Sequence, residues 1–222
     1  MKKAIVAMTI MLAVGAAASA TASPITTLFN TGGVQGAPAA NWTVNGGTAY
    51  VTGPGFPFPN WMANDATSQW ISPQASYPNL GSDPAPATYV FSTLFQVPGG
   101  YDPATASFKM RVASDNQVPR VWLNGTELGF SWVNAVAYDS FSGFSPYYTV
   151  TGLILGDNRL AFDLWNGPQP TPGNVGNPAG LRVEFADSDM SALGSVPEPT
   201  SLVLFGTGIV ALAAAARRRV RK

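Results

Sequence analysis

The chain has neither cysteine nor histidine. Without cysteine no disulfide can brace the fold, so any folded domain here rests on packing alone. Without histidine there is no Ser-His-Asp or Cys-His nucleophile system and no His/Cys zinc site. Oxygen ligands are the only metal chemistry left. Charge is also scarce, at 11% of residues. Between Ser23 and Val196 the chain holds five cations and eleven anions, a net charge of −6. That balance argues against nucleic acid as a partner, and against an anionic membrane surface. Long apolar runs are missing from the same stretch and occur only near the two ends. The basic ends alone bring the whole chain to zero net charge.

At the N-terminus Lys2 and Lys3 precede an apolar run from Ala4 to Ala18. Two small-x-small sites follow, Ala18-Ser19-Ala20 and Ala20-Thr21-Ala22. This order is that of a secretory signal peptide, residues 1–22, with cleavage expected after Ala22 and the alternative after Ala20. At the C-terminus Pro197, Glu198 and Pro199 precede an uncharged stretch from Ser201 to Ala216. Arg217, Arg218, Arg219, Arg221 and Lys222 close the chain as a cationic membrane stop. As a helix the uncharged stretch would reach only ~24 Å against a hydrocarbon core of roughly 30 Å. It is short for a permanent span, and Gly206 and Gly208 weaken it further. The cations should remain cytoplasmic, placing everything before Pro197 outside the inner membrane. The two prolines fix their own φ and bias the residues before them toward extended backbone. Glu198 is thereby presented as a protease recognition motif would be.

This three-part tail closely resembles the PEP-CTERM sorting signal of Gram-negative bacterial surface proteins. The resemblance places the family motif on Pro197, Glu198 and Pro199. It implies recognition by exosortase, an integral-membrane cysteine protease-transpeptidase. It further implies transient anchoring in the inner membrane, removal of the tail, and delivery to the cell surface or exopolysaccharide matrix.

Between the signals the sequence reads as one all-β domain, residues 23–187, with a linker at 188–196 and the sorting signal at 197–222. Ala106, Phe108, Met110 and Val112 alternate with polar residues, and Arg159–Trp165 and Leu181–Phe185 repeat the pattern. Period-two alternation marks strands with one buried face. Thr88–Val97 is β-branched and aromatic, a longer and more deeply buried strand. Asn45-Gly46 and Asn124-Gly125 lie between apolar runs and predict tight hairpins. The expectation is a jelly roll or β-sandwich, flanked by the signal peptide and a short C-terminal hydrophobic helix. Lys109, Arg111, Arg120, Arg159 and Arg182 fall in the polar phase of these strands and are expected on solvated faces. Asp65, Asp83, Asp102, Asp115, Asp139, Asp157, Asp187 and Asp189 are expected in loops, mostly as turn formers.

The turn-and-strand pattern from Tyr89 to Phe185, notably Ala113-Ser-Asp-Asn116, Val121–Gly125, Leu155–Leu160 and Asn177–Glu184, is similar to galactose-binding-domain-like jelly rolls. That resemblance implies the fold and an accessory sugar-binding role, and carries over no ligand residue.

Aromatic side chains are the main candidates for chemistry. Phe130, Trp132, Tyr138, Phe141, Phe144, Tyr147 and Tyr148 lie among Ser, Gly and Asn. They either offer flat faces to sugar rings or fold inward and cap the sandwich. Trp122 and Trp165 fall in the polar phase of their strands, either as an exposed platform or packed under the loop Gly167–Ala179. Trp122, Trp132 and Trp165 are therefore the candidate ligand-binding residues. Asp115-Asn116 and Asp157-Asn158 could offer calcium oxygen ligands, but two Asx turns explain them more simply. Glu127 and Glu184 are the body's only glutamates and thus its only Glu pair for glycoside hydrolysis. The Asn-x-Thr sites at Asn41 and Asn124 read as coincidence in a bacterial exported protein. The expectation is a non-enzymatic surface or matrix protein, without cofactor or metal, that holds extracellular polysaccharide. A structural β-module acting by protein contacts is the alternative, and a glycoside hydrolase ranks third.

Overall fold

The computed structural model describes residues 22–53, 61–76, 83–133, 141–168 and 177–193, with Gly206, Gly208 and Ile209 beyond them. The body is a single compact unit, Ala22–Ala192. Beyond it, Gly206, Gly208 and Ile209 are helical. Among the described residues no helix is long and apolar enough to cross a membrane. The expected signal peptide before Ala22, the Pro197-Glu198-Pro199 motif and the cationic stop all lie outside the described residues.

The body is built from strands. In chain order they are β1 (Ala22–Ser23), β2 (Pro38–Val44), β3 (Gly47–Val51), β4 (Ile71–Ser72), β5 (Ala87–Val97) and β6 (Ser107–Asp115). Then come β7 (Gln117–Leu123), β8 (Thr126–Leu128), β9 (Tyr148–Val150), β10 (Gly156–Asn166) and β11 (Gly180–Ser191). Their hydrogen-bonded order is β8-β7-β10-β5-β2-β3-β4-β11-β6-β9, with β1 paired to β11. The sheet turns over at the short β3–β4 pairing, giving a first layer around β7, β10, β5 and β2 and a second around β11 and β6. This is the expected β-sandwich.

The alternating residues face inward as their period requires. Phe108, Met110 and Val112 of β6, Leu181 and Val183 of β11, Phe91 and Phe95 of β5, and Leu160, Phe162 and Leu164 of β10 are all buried in one core. The layers meet through rings: Phe95 and Phe108 pack edge to face at 5.4 Å, and Trp42 stacks on Phe185 at 6.3 Å. Each such pair is worth roughly 0.5–1.5 kcal/mol beyond its area. Both Asn-Gly hairpins form as expected. Asn45 and Gly46 have φ of 48° and 75°, and Asn124 and Gly125 of 52° and 83°, the left-handed pair a tight two-residue turn needs. The two ends of the strand order, β8 and β9, are three residues each. Short edges of this kind offer little template for pairing with another chain.

The strands also run further than the sequence pattern suggests. β11 continues past Asp187 to Ser191, and Tyr101 bridges Ala192. The first residues of the expected linker are thus part of the sheet. Asp115, Asp157, Asp187 and Asp189, expected in loops, all belong to strands. Asp65 and Asp102 do form turns: Asp65 accepts from the Thr67 and Ser68 N–H groups, and Asp102 from that of Ala104.

Candidate functional site

Both layers have an outer face with polar residues, yet the two faces differ. The outer face of β11 and β6 is covered. Trp61, Trp70 and Ala113 form a second buried cluster there, with Phe141 and Phe144 packed against it. Gly180 makes room: a Cβ at this position would lie 2.6 Å from the Trp61 ring. Under this cover Arg182 is completely buried, against the expectation of a solvated face. Two-residue alternation places it outward, but the segment from Trp61 to Trp70 folds over it. Its guanidinium donates to Ser68 Oγ, the Ala63 carbonyl and Asp65 Oδ2. Glu184 is buried beside it, accepting from Ser68 Oγ and from Arg111. Arg111 and Arg182 both lie over the Phe144 ring, at 4.3 and 5.2 Å. Burial pushes the Asp65 carboxyl up, but hydrogen bonds from Ser68, Thr67 and Arg182 outweigh it and hold its pKa below the ordinary value.

Asp115 sits at the end of this covered face, 5% exposed, with its carboxylate accepting from Asn116 Nδ2 at 2.7 Å and from the Trp61 side chain. Desolvation drives its pKa from 3.8 to about 8; the Trp61 hydrogen bond opposes this and the nearby Asp83 carboxylate adds to it. No cation pairs with it among the described residues.

Among the described residues, no segment covers the outer face of β7, β10, β5 and β2, which is open. The register places Trp122 opposite Ala161, Arg120 opposite Asp163, Ala161 opposite Ser92, and Ser92 opposite Thr43. Trp122 is half-buried and donates from Nε1 to Asp163 Oδ2 at 3.1 Å, while the Arg120 guanidinium lies 5.5 Å from its ring. Arg120 also pairs with Asp163 at 3.0 Å. These partners hold the indole in one orientation on the sheet. Beside it, Arg159 donates to Ser92 Oγ at 3.1 Å, and Ser92 Oγ and Thr43 Oγ1 share a hydrogen at 2.9 Å. Four strands at the usual spacing make this face ~14 Å wide from β7 to β2.

The face is hollowed along its width. One depression of about 420 Å³ is lined by Trp122, Asn124, Arg159, Ala161 and Asp163. A second, also about 420 Å³, is lined by Arg159, Ser92, Leu94, Thr43 and Asn41. Arg159 is the shared wall. A third and larger cleft, about 710 Å³, begins at Asn41 and is lined by Phe29, Asn30, Thr67, Gln69, Asp187 and Ser188. Asn41 is common to the second and third. The first two meet at Arg159 on the open face, whereas the third is lined largely by residues 65–69 and by the end of β11, on the other layer. Phe29 is 46% exposed, and Gln69 Oε1 is buried without a hydrogen-bond partner.

The candidate residues therefore separate. Trp122 stands on the open face. Trp165, 40% exposed, is on the same side of β10, its ring folded over Gly167 so closely that a Cβ there would sit 2.6 Å away. Trp132 does not join them. It bridges Val118, whose side chain points inward, and packs against the main core. Of the aromatic loop, Phe130 packs on Tyr148 at 5.2 Å and Phe141 stacks on Trp61 at 6.2 Å, whereas Tyr147 is 48% exposed. Tyr138 lies outside the described residues. Asn158 is fully buried: its Oδ1 accepts from Asn124 Nδ2 and the Ile154 N–H, and its Nδ2 donates to the Ile154 and Gly156 carbonyls. Asn116 Oδ1 likewise accepts from the Gly167 N–H and Asn177 Nδ2. Both asparagines are loop clamps. Among the described residues no group of acids is dense enough to hold a metal ion. Sequence reasoning did not single out Arg159, Ser92, Thr43 or Asn41 as site residues. Their signal was their shared outward phase, which becomes a site only once β2, β5 and β10 are known to be neighbours.

Fold and site together define an all-β body with an open, polar-aromatic sheet face. Residues 195–219 match the model of the PEP-CTERM protein-sorting motif. The chain thus carries the mark of an exported protein processed at the membrane, with exosortase recognition as the kind of partner that the motif implies. No curated protein matches the chain. Among solved structures it is similar to a Paenibacillus sp. cycloisomaltooligosaccharide glucanotransferase complexed with cycloisomaltoheptaose, at 11% identity and a TM-score of 0.29. The similarity covers 78% of this chain but 18% of that enzyme, so this chain spans a small part of it.

Proposed function

We propose that the body is a non-enzymatic module that holds extracellular polysaccharide at the surface or in the matrix of a Gram-negative cell. The observation that carries this reading is the track formed on the open layer by the two depressions that meet at Arg159. It combines a pinned, half-exposed indole at Trp122 with hydroxyl, amide and guanidinium groups at intervals a polymer could span. Sugar rings bury their apolar faces on aromatic planes while their hydroxyls take up neighbouring hydrogen bonds. A second exposed indole, Trp165, lies on the same side of β10. The non-enzymatic part is supported by the glutamates. Glu184 is buried with Arg111 and Arg182 on the covered layer, and Glu127 pairs across from Trp122 on the open one. Two carboxyls on the outer faces of opposite layers cannot flank one glycosidic bond.

Polysaccharide retention and chemical denaturation, measured together on single variants, test the proposal. Trp122→Ala should abolish retention and cost little stability. Trp165→Ala should weaken retention in the same selective way. Trp132→Ala should instead cost measurable stability, since its partly buried ring packs against the core. If no polysaccharide is retained by the wild-type protein, or if Trp122→Ala binds as well as wild type, the track is not a glycan site. The body would then be better read as a structural module acting through protein contacts.

A further inference from the structure

Arg159 differs from every other cation of the body. Lys109 pairs with Asp187, Arg111 with Glu184, Arg120 with Asp163, and Arg182 with Asp65 and Glu184. Among the described residues Arg159 has no carboxylate partner. It is exposed, and its one side-chain hydrogen bond runs from Nη2 to the Ser92 hydroxyl. It is also the shared wall of the two depressions on the open face. The backbone beneath is fixed, since the Arg159 N–H donates to Asn124 Oδ1 and its carbonyl accepts from the Asn124 N–H. Asp163, the nearest acid lining these depressions, is already occupied by Arg120 and by the Trp122 indole. Asp157, two residues along the strand, is engaged by the Gln96 amide.

An anchored guanidinium with unfilled donors, set midway along a groove, is suited to a planar oxyanion. Its fork matches a carboxylate in a bidentate arrangement that no neutral hydroxyl reproduces. From this we infer that the groove takes an acidic polysaccharide, with Arg159 binding the carboxylate of a uronic-acid residue while the ring beside it stacks on Trp122. The inference rests on the glycan-binding reading and adds the chemical class of the sugar. The net negative charge of the body disfavours a long polyanion in general, but charges beyond ~8–10 Å are screened at physiological ionic strength, so a single carboxylate at Arg159 meets mainly its own local surroundings. The contact around Arg159 is local.

Retention of the full-length protein on polygalacturonate and alginate, each compared with its methyl-esterified form, tests the inference. Esterification removes the charge and keeps the backbone of the polymer. Wild-type protein should be retained on at least one acidic polymer and lose roughly 10- to 100-fold in affinity on its ester, the range expected for a charge-assisted contact. Arg159→Gln should lose a similar factor on the acidic polymer and nothing further on the ester. Arg159→Lys, which keeps the charge without the fork, should fall between. Lys109→Gln removes the same charge from the opposite layer and should leave retention unchanged. Circular dichroism should show all three variants folded, since both positions are exposed. Equal retention on acid and ester, with Arg159→Gln matching wild type on both, would leave the glycan reading standing and overturn the acidic one. A loss in Lys109→Gln equal to that in Arg159→Gln would overturn it as well, by showing a general charge effect. Retention on none of these polymers would overturn the acidic reading, and the glycan reading falls only if neutral polysaccharides are not retained either.

Discussion

Asp115 should make this fold less stable as pH rises through the physiological range, opposite to the usual behaviour of a carboxylate. Its folded pKa is raised from 3.8 to about 8, by desolvation first and the Asp83 charge second. Between those two values the folded state holds a proton that the unfolded chain has released. Unfolding therefore releases a proton, and stability falls by ~1.4 kcal/mol for each pH unit. The slope follows from one proton per molecule and does not depend on the size of the shift. From pH 5 to 7.5 the loss should total roughly 3 kcal/mol. The chain has no histidine, so no imidazole titrates in the same window. Urea denaturation at half-unit pH steps, with a constant m-value, would measure it. Asp115→Asn removes the titration and should leave stability flat across the window. It should be more stable than wild type at pH 7.5, because the amide carries no ionisation penalty. Asp83→Asn should lower the pKa of Asp115 and start the fall at the same pH but end it earlier. A wild-type stability that does not change between pH 5 and 7.5, or a slope that persists in Asp115→Asn, would refute the argument.

Other consequences can be read from single residues. Gly180→Ala should destabilise the body by about 1–3 kcal/mol and change its tryptophan fluorescence, since the new Cβ lies within 2.7 Å of the Trp61 ring. Arg182→Ala should cost about 3–5 kcal/mol by emptying a fully buried site and removing the donor to Ser68 Oγ, the Ala63 carbonyl and Asp65; denaturant titration decides it. Mass spectrometry of the mature protein should find no peptide from Leu202 onward if the sorting tail is removed. Recovery of Arg217–Lys222 on most molecules would make the tail a retained anchor.

Much of the fold was legible in the sequence because alternation and turn chemistry are local. The Asn45-Gly46 and Asn124-Gly125 hairpins form where their positive φ is needed, and Phe108, Met110 and Val112 turn inward as their spacing requires. The candidate site was legible only in part. Trp122 and Trp165 were visible by phase, but Trp132 carried the same chemical signal and lies against the core. Period-two patterning says which residues share a side of one strand. It does not say what else covers that side.

The sequence by itself determined the sorting motif and the class of fold. A sorting motif is a linear arrangement of charge, apolar length and proline, and it can be read residue by residue. A sandwich follows from short alternating strands with glycine-bearing turns. Which of two polar faces stays open was decided by tertiary structure. The segment from Trp61 to Trp70 folds across β11 and β6, burying Arg182 and Glu184, while nothing comparable among the described residues lies over β7, β10 and β5. Equally, the pairing of Arg120 with Asp163 and the lack of a carboxylate for Arg159 arise from register between strands distant in sequence. Burial and pairing are properties of neighbours, and neighbours across a sheet are set by the fold.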